Sequence, residues 1–344
     1  MGLFDFLVST AIGKTDVSNS FLGIGSKNPE SAASNVVIDV PSPSTDLQPH
    51  GGSQALPTAA AQSGVQPAGF FKYGHPGPIV DAQFRAEYVG AYDRRTRNPH
   101  YIIEHLTPQS VTGNKSDQVD RKKSTFKEDE SIPAKFRARL VDYFRSGYDR
   151  GHMAPAADSK FSQDAMDETF FLTNISPQVG DGFNRDYWAH FEDFCRRLTN
   201  KYNSVRIVTG PLFLPKKYPD GKYRISYEVI GNPPNVAVPT HFYKLIVAES
   251  PIQKSTFGGS DDEPVVGAFI LPNDVIPNST DLKNFYVPVD AIERASGLEF
   301  LSLLPDRKRK DLCREVECKI VVREFLKALP APKAQLALAP PRNN

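Results

Sequence analysis

Four consecutive residues, Asp149-Arg150-Gly151-His152, lie within the segment "GYDRGHMAPAAD" (147–158). They bring a carboxylate, a guanidinium, a backbone position without a side chain and an imidazole together. An imidazole titrates near pH 6.5 in water, so at neutral pH it can take a proton from an attacking water. A guanidinium presents a planar fork that matches phosphate oxygens. Glycine lets a neighbouring backbone or ligand come close just before the histidine. An Asp-Arg-Gly turn ahead of a merely packed histidine would use the same letters. The cluster gains weight from a second block, "NRDYWAHFE" (184–192), which carries Asn184 and Glu192.

The spacing predicts a helix over 184–203, "NRDYWAHFEDFCRRLTNKYN". Tyr187, Trp188, Phe191, Phe194, Cys195 and Leu198 then form one inward stripe. At about 100° per residue, Asn184, Trp188 and Glu192 share one side of that helix. Around it the chain reads mostly as strands. "QFRAEYVGAYDRRTRNPHYIIEHL" is a hairpin turning near 94–99, and "KSDQVDRKKSTFKEDESIP" is a charged loop. "SQDAMDE" starts a short helix capped by Ser162, and "TFFLTN" is a buried strand. "VRIVTGPLF", "YRISYEVIG", "HFYKLIVAE", "VVGAFILP" and "KIVVREF" are further strands. "VPVDAIERASG" is a helix that Gly297 ends in the left-handed conformation. Adjacent strands of this kind favour an α+β fold over a doubly wound sheet.

The flanks differ in composition. Residues 1–68 form an arm rich in Ser, Pro, Ala and Gly, 69–328 form one domain, and 329–344 form a second flexible tail. The net charge of +1 discriminates little, but eight basic residues against Asp220 alone between 194 and 224 suit a polyanion. Cys195, Cys313 and Cys318 are too few for a disulfide framework. Cys313 and Cys318 could pair or bind a metal, and the expectation is reduced structural thiols. No apolar run reaches the length of an integral membrane span. The N-terminal "MGLFDFLVSTAIGK" contains Asp5 and no arginine, which makes it a poor mitochondrial presequence.

Taken in order, "DRGHMAPAAD", "TFFLTNISPQ" and "FNRDYWAHFE" resemble the DNA/RNA non-specific endonuclease family. Within that family they are similar to mitochondrial endonuclease G and its fungal counterparts. "DRRTRNP", "DRKKSTFKEDESIP", "VRIVTGPL" and "VDAIERASGLEF" extend the likeness over roughly 70–325. The resemblance implies a ββα-metal (His-Me finger) fold with a central, mostly antiparallel sheet. It also implies hydrolysis of phosphodiester bonds in DNA and RNA by water, leaving 5′-phosphate ends. His152 would be the general base and Asn184 the protein ligand of one Mg²⁺ or Mn²⁺ ion per active site. Glu192 would orient water, Asn174 would hold the site's geometry, and Arg150 and Arg121 would contact the substrate. A homodimer and a mitochondrial location follow from the same likeness. Two other readings compete: a catalytically inactive nucleic-acid-binding protein of the same fold, and a zinc hydrolase built on His152, His190 and Asp158.

Overall fold

The computed structural model describes residues 80–113, 119–251 and 263–323. The expected N-terminal arm, 1–68, and the C-terminal tail, 329–344, lie outside the described residues.

The expected hairpin forms, with one strand more than its sequence indicates. β1 (Val80–Phe84), β2 (Tyr88–Asp93) and β3 (Asn98–Leu106) pair antiparallel in succession. A short ribbon follows, made of β4 (Asp149–His152) and β5 (Ile175–Gln178). β6 (Tyr202–Leu212) then lies against β3. Two-residue strands come next: β7 (Lys216–Lys217), β8 (Tyr223–Arg224), β9 (Val229–Ile230) and β10 (Val236–Ala237). The chain returns to the main sheet with β11 (His241–Pro251), β12 (Val265–Pro272) and β13 (Lys310–Asp311). The main sheet has seven strands in the order β1-β2-β3-β6-β11-β12-β13, antiparallel except for the last pair. This is the expected α+β class.

Both faces of the sheet are covered, which explains the nearly continuous apolar runs in β6, β11 and β12. On β11, Phe242 and Ile246 join the core beneath helix Tyr187–Arg197, while Tyr243, Leu245 and Val247 join the opposite one. Ile292 of helix Val289–Ser296 packs in that second core. The predicted stripe on the first helix holds: Tyr187, Trp188, Phe191, Phe194, Cys195 and Leu198 are all buried.

Several boundaries move. The helix runs Tyr187–Arg197 with a short turn, Leu198–Asn200, after it, not 184–203. Asn184 instead closes a wide turn, Gly180–Asn184, through its N–H to the Val179 carbonyl at 2.9 Å. "TFFLTN" is not a strand: Leu172–Asn174 is one tight turn leading into β5. "YRISYEVIG" supplies only β8 and β9. The described part of "KIVVREF", through Arg323, is irregular. Cys313 and Cys318 form a disulfide, against the expectation of reduced thiols, because the turn Leu312–Glu315 brings their Cα atoms to 5.1 Å. Cys195 is free and buried. Two local signals are met in full. The Ser162 hydroxyl accepts from Ala165 N–H at the start of helix Gln163–Glu168, and Gly297 ends helix Val289–Ser296 at φ 73°.

Candidate active site

The first motif is a strand, and its geometry follows from strand alternation. Asp149, Arg150, Gly151 and His152 pair with Gln178, Pro177, Ser176 and Ile175 of β5. Arg150 and His152 therefore point to one face, Asp149 and Gly151 to the other. A Cβ at Gly151 would lie 1.8 Å from Oε1 of the fully buried Gln178. The close approach expected at this glycine is thus made by a neighbouring side chain.

His152 is 8% exposed and is walled by two rings, Phe170 at 4.8 Å and Phe126 at 5.3 Å between centroids. Its Nε2 is buried and has no hydrogen-bond partner among the described residues. Burial first, and then the charges of Arg121 and Arg150, push its pKa down to about 3. The same rings carry those two cations. The Arg150 guanidinium stands 4.3 Å from the centre of Phe126 and that of Arg121 5.5 Å from the centre of Phe170. Arg121, Arg150 and His152 are therefore gathered around one aromatic pair.

Asn174 is fully buried and spends its amide on the main chain that follows the histidine. Its Oδ1 accepts from Ala154 N–H at 2.9 Å, and its Nδ2 donates to the carbonyls of Ala154 (2.9 Å) and Thr169 (2.8 Å). Its own carbonyl accepts from Met153 N–H at 2.9 Å. These bonds fix the exit of the chain from β4.

Asn184 reaches the same strand from the other motif. Its Nδ2 donates to Asp149 Oδ2 at 2.9 Å, and Arg185 Nη1 grips both oxygens of that carboxylate at 2.5 and 2.6 Å. A carboxylate can only accept, so the amide nitrogen must face it and the Asn184 Oδ1 turns away. That oxygen has no partner among the described residues. Asn184 thus touches the four-residue strand that bears His152, through Asp149, whose side chain alternates with the imidazole.

Glu192 is half-buried rather than a surface residue. Burial raises its pKa to about 7 against the opposing charges of Lys244 and Arg196, with Asp158 adding to the rise and Arg121 opposing it. Arg196, one turn further along the helix, pairs with buried Asp158 at 2.7 Å. Beneath them lie Lys244, which donates to Thr209 Oγ1 at 2.8 Å, and fully buried Glu104. Burial holds the Glu104 carboxyl well above the ordinary carboxylate range, more so through Asp158, while Lys244 opposes the rise.

Sequence reasoning gave no role to Asp149, Arg185, Phe126, Phe170, Arg196, Glu104 or Lys244. Arg196 could have been found from its i,i+4 relation to Glu192. Asp149 could have been found from its place in the quoted motif.

Among the described residues, no three His, Cys, Asp or Glu side chains converge as a metal cage. Asp158, a member of the zinc alternative, is committed to Arg196. A single outward amide oxygen beside an oriented carboxylate suits a hard divalent ion that keeps most of its water. It does not suit zinc, which takes several nitrogen or sulfur ligands.

Residues 66–307 match the family described as DNA/RNA non-specific endonuclease. The mitochondrial nuclease of Saccharomyces cerevisiae is 60% identical over 278 residues, 80% of this chain and 82% of that one. Mitochondrial endonuclease G of Homo sapiens is 42% identical over 230 residues, 67% of this chain and 72% of that one. A crystal structure of the EndoG/EndoGI complex contains a chain that superposes with a TM-score of 0.62 at 47% identity. The match covers 71% of this chain and 94% of that one.

The buried neutral imidazole has a consequence for stability. The pKa of His152 lies below its unfolded value of about 6.5, so between roughly pH 3 and 6.5 the unfolded chain binds more protons. Its contribution is therefore complete above pH 6.5 and falls by about 1.4 kcal/mol per unit as pH drops through that window. Urea melts at pH 7.5 and pH 5.5 should show a smaller loss in His152→Gln than in the wild type. An equal loss in both proteins refutes the burial of a neutral imidazole.

Proposed function

The chain belongs to the DNA/RNA non-specific endonuclease family, and from that premise we propose how its residues divide the work of cleaving phosphodiester bonds. It is a divalent-metal-dependent nuclease acting on DNA and RNA, and its location is mitochondrial, in keeping with the names of its relatives. The observation that carries the site assignment is the Asn184–Asp149 hydrogen bond, which joins the second motif to the strand bearing His152.

His152 takes the proton from the attacking water at Nε2, the atom with no partner among the described residues. Arg150 and Arg121 hold the anionic phosphate. Their two charges also depress the imidazole's basicity, so a bound phosphodiester, by offsetting them, makes His152 a better base when substrate is present. Asn174 keeps the histidine in place through the main chain of Met153 and Ala154. Glu192 orients water at the site. Asn184, through Oδ1, would hold one Mg²⁺ or Mn²⁺ ion. When bound, such an ion adds positive charge at the non-bridging and leaving oxygens. In-line attack joins the water oxygen to phosphorus as the P–O3′ bond breaks, and the departing 3′ oxygen takes a proton from solvent, leaving 5′-phosphate and 3′-hydroxyl ends. Contacts limited to phosphate and sugar carry little base information, so sequence preference is weak.

The β4–β5 ribbon followed by helix Tyr187–Arg197 supports assignment to the ββα-metal class. The family match over 66–307 supports reading 69–328 as the nuclease domain. We also read the protein as a homodimer: Tyr223, Ile225, Tyr227 and Val229 expose apolar side chains within seven residues, a surface suited to a second copy. Sedimentation equilibrium should give twice the chain mass, and a monomer at micromolar concentration contradicts that assignment.

Nicking of supercoiled plasmid and cleavage of RNA, run side by side in magnesium and in EDTA, separate the nuclease from an inactive nucleic-acid-binding protein. His152→Ala should lose about 10²- to 10⁴-fold in rate while keeping its fold, as removal of a general base does. Near-normal nicking by this variant contradicts the base assignment. Asn184→Ala should require more Mg²⁺ for half-maximal rate, and an unchanged Mg²⁺ midpoint rejects Asn184 as the ligand.

A further inference from the structure

Arg150 is exposed, yet no side-chain hydrogen bond or ion pair holds its guanidinium among the described residues. What it does have is a ring. Its central carbon stands 4.3 Å from the centroid of Phe126, within the range of a cation–π contact. The same ring meets the His152 imidazole at 5.3 Å and an interplanar angle of 49°. One half-buried aromatic residue thus touches both the arginine proposed to bind substrate and the histidine proposed as base.

The ring is itself held from two sides. Lys127 N–H donates to the Phe170 carbonyl at 3.1 Å, and Leu172 N–H donates to the Lys127 carbonyl at 2.9 Å. That pairing ties the loop carrying Phe126 to the turn ahead of β5. Phe126 packs on Phe170 at 4.9 Å and also against the neighbouring cluster of Leu172, Ile175 and Tyr143. Its face toward Arg150 is therefore set by main-chain hydrogen bonds and packing.

We propose that Phe126 is a positioning residue for phosphodiester cleavage, seating the Arg150 guanidinium toward the substrate phosphate and covering the His152 imidazole with the same ring. An arginine paired with a carboxylate would have its donors occupied and its charge offset. On a ring face it is oriented while its N–H donors stay free for phosphate oxygens. The charged groups that bear on His152 are Arg150, on its own strand, and Arg121, on the turn Arg121–Lys123; Phe126 and Phe170 bring none. Phe126 therefore influences the imidazole by excluding water and by fixing where Arg150 stands.

The proposal rests on Arg150 binding substrate and His152 acting as base, and the test separates the two levels. KM and kcat for a short DNA duplex are measured in magnesium for wild type, Phe126→Leu, Phe126→Tyr, Arg150→Ala and the Phe126→Leu/Arg150→Ala double variant. Phe126→Leu should raise KM about three- to thirtyfold, the span of a cation–π contact. It should raise KM by less than about twofold in the Arg150→Ala background, where the cation is already gone. It should also move the acid limb of the kcat/KM profile to higher pH, because an imidazole with more access to water is protonated more easily. Phe126→Tyr, which keeps the ring face, should recover most of the KM.

A purely structural role would lower stability without that dependence on Arg150 or the moved limb. If Phe126→Leu does not fold, Phe126→Met, closer in bulk, replaces it in the same comparison. A folded variant with wild-type KM and an unmoved limb overturns the proposal. So does a full Phe126→Leu effect on KM without Arg150, or a Tyr variant no better than Leu. If Arg150→Ala leaves KM unchanged, the underlying assignment of Arg150 has failed instead.

Discussion

A histidine nitrogen buried without a partner among the described residues is the constraint on which this site is arranged. Polar atoms cut off from water are normally satisfied, and one that is not marks strain or function. At His152 the imidazole is enclosed by Phe126 and Phe170 and bordered by two arginines, so protonating it in the free protein is costly. A neutral imidazole with its Nε2 left open is what proton abstraction from water requires. The surrounding structure keeps it that way. Asn174 fixes the main chain after the histidine, Gln178 fills the space that only a glycine at 151 leaves, and β5 holds the strand in register.

The larger elements make this arrangement stable by standing behind it. The seven-stranded sheet packs one face beneath helix Tyr187–Arg197, which has Trp188, Phe191 and Phe194 in the core and Glu192 at the boundary. The sheet also brings charge to that boundary. Lys244 lies under the helix with its ammonium 4.9 Å from the Trp188 ring, and its charge, like that of Arg196, resists the rise that burial imposes on the Glu192 carboxyl. Asp149 supplies the lateral link by accepting from Asn184 and Arg185, so strand and wide turn are one polar unit. Helix, strand and turn come from separate stretches of sequence and meet within a few side chains.

Much of this was legible where local chemistry decides. The stripe from Tyr187 to Leu198 has helical period, Ser162 and Gly297 carry capping chemistry, and β11 and β12 are long apolar runs. The motifs themselves singled out His152, Asn184 and Glu192, the residues proposed as base, metal ligand and water-orienting group. What could not be read was set by irregular turns and by contacts distant in sequence. The start of the helix was misplaced because Asn184 extends the polar–aromatic pattern, although its N–H bonds back to Val179 across the left-handed Gly182. "TFFLTN" has the apolar content of a strand, yet its main chain bonds to Lys127 and to its own turn. Cys313 and Cys318 were too few to imply a pair until a turn brought them together. The aromatic enclosure was hidden most completely, since Phe126 and Phe170 obey no periodicity that relates them to His152.

Titration of the imidazole itself tests the central claim most directly. The protein labelled with ¹⁵N-histidine, with the His152→Gln variant used to assign the resonance, can be followed by NMR from pH 8 downward for as long as it stays folded. The His152 ring is expected to remain neutral throughout the range near pH 6.5 where an unhindered histidine takes up its proton, and to protonate only far below it. A His152 resonance that titrates with a midpoint near 6.5 in the folded protein would contradict it.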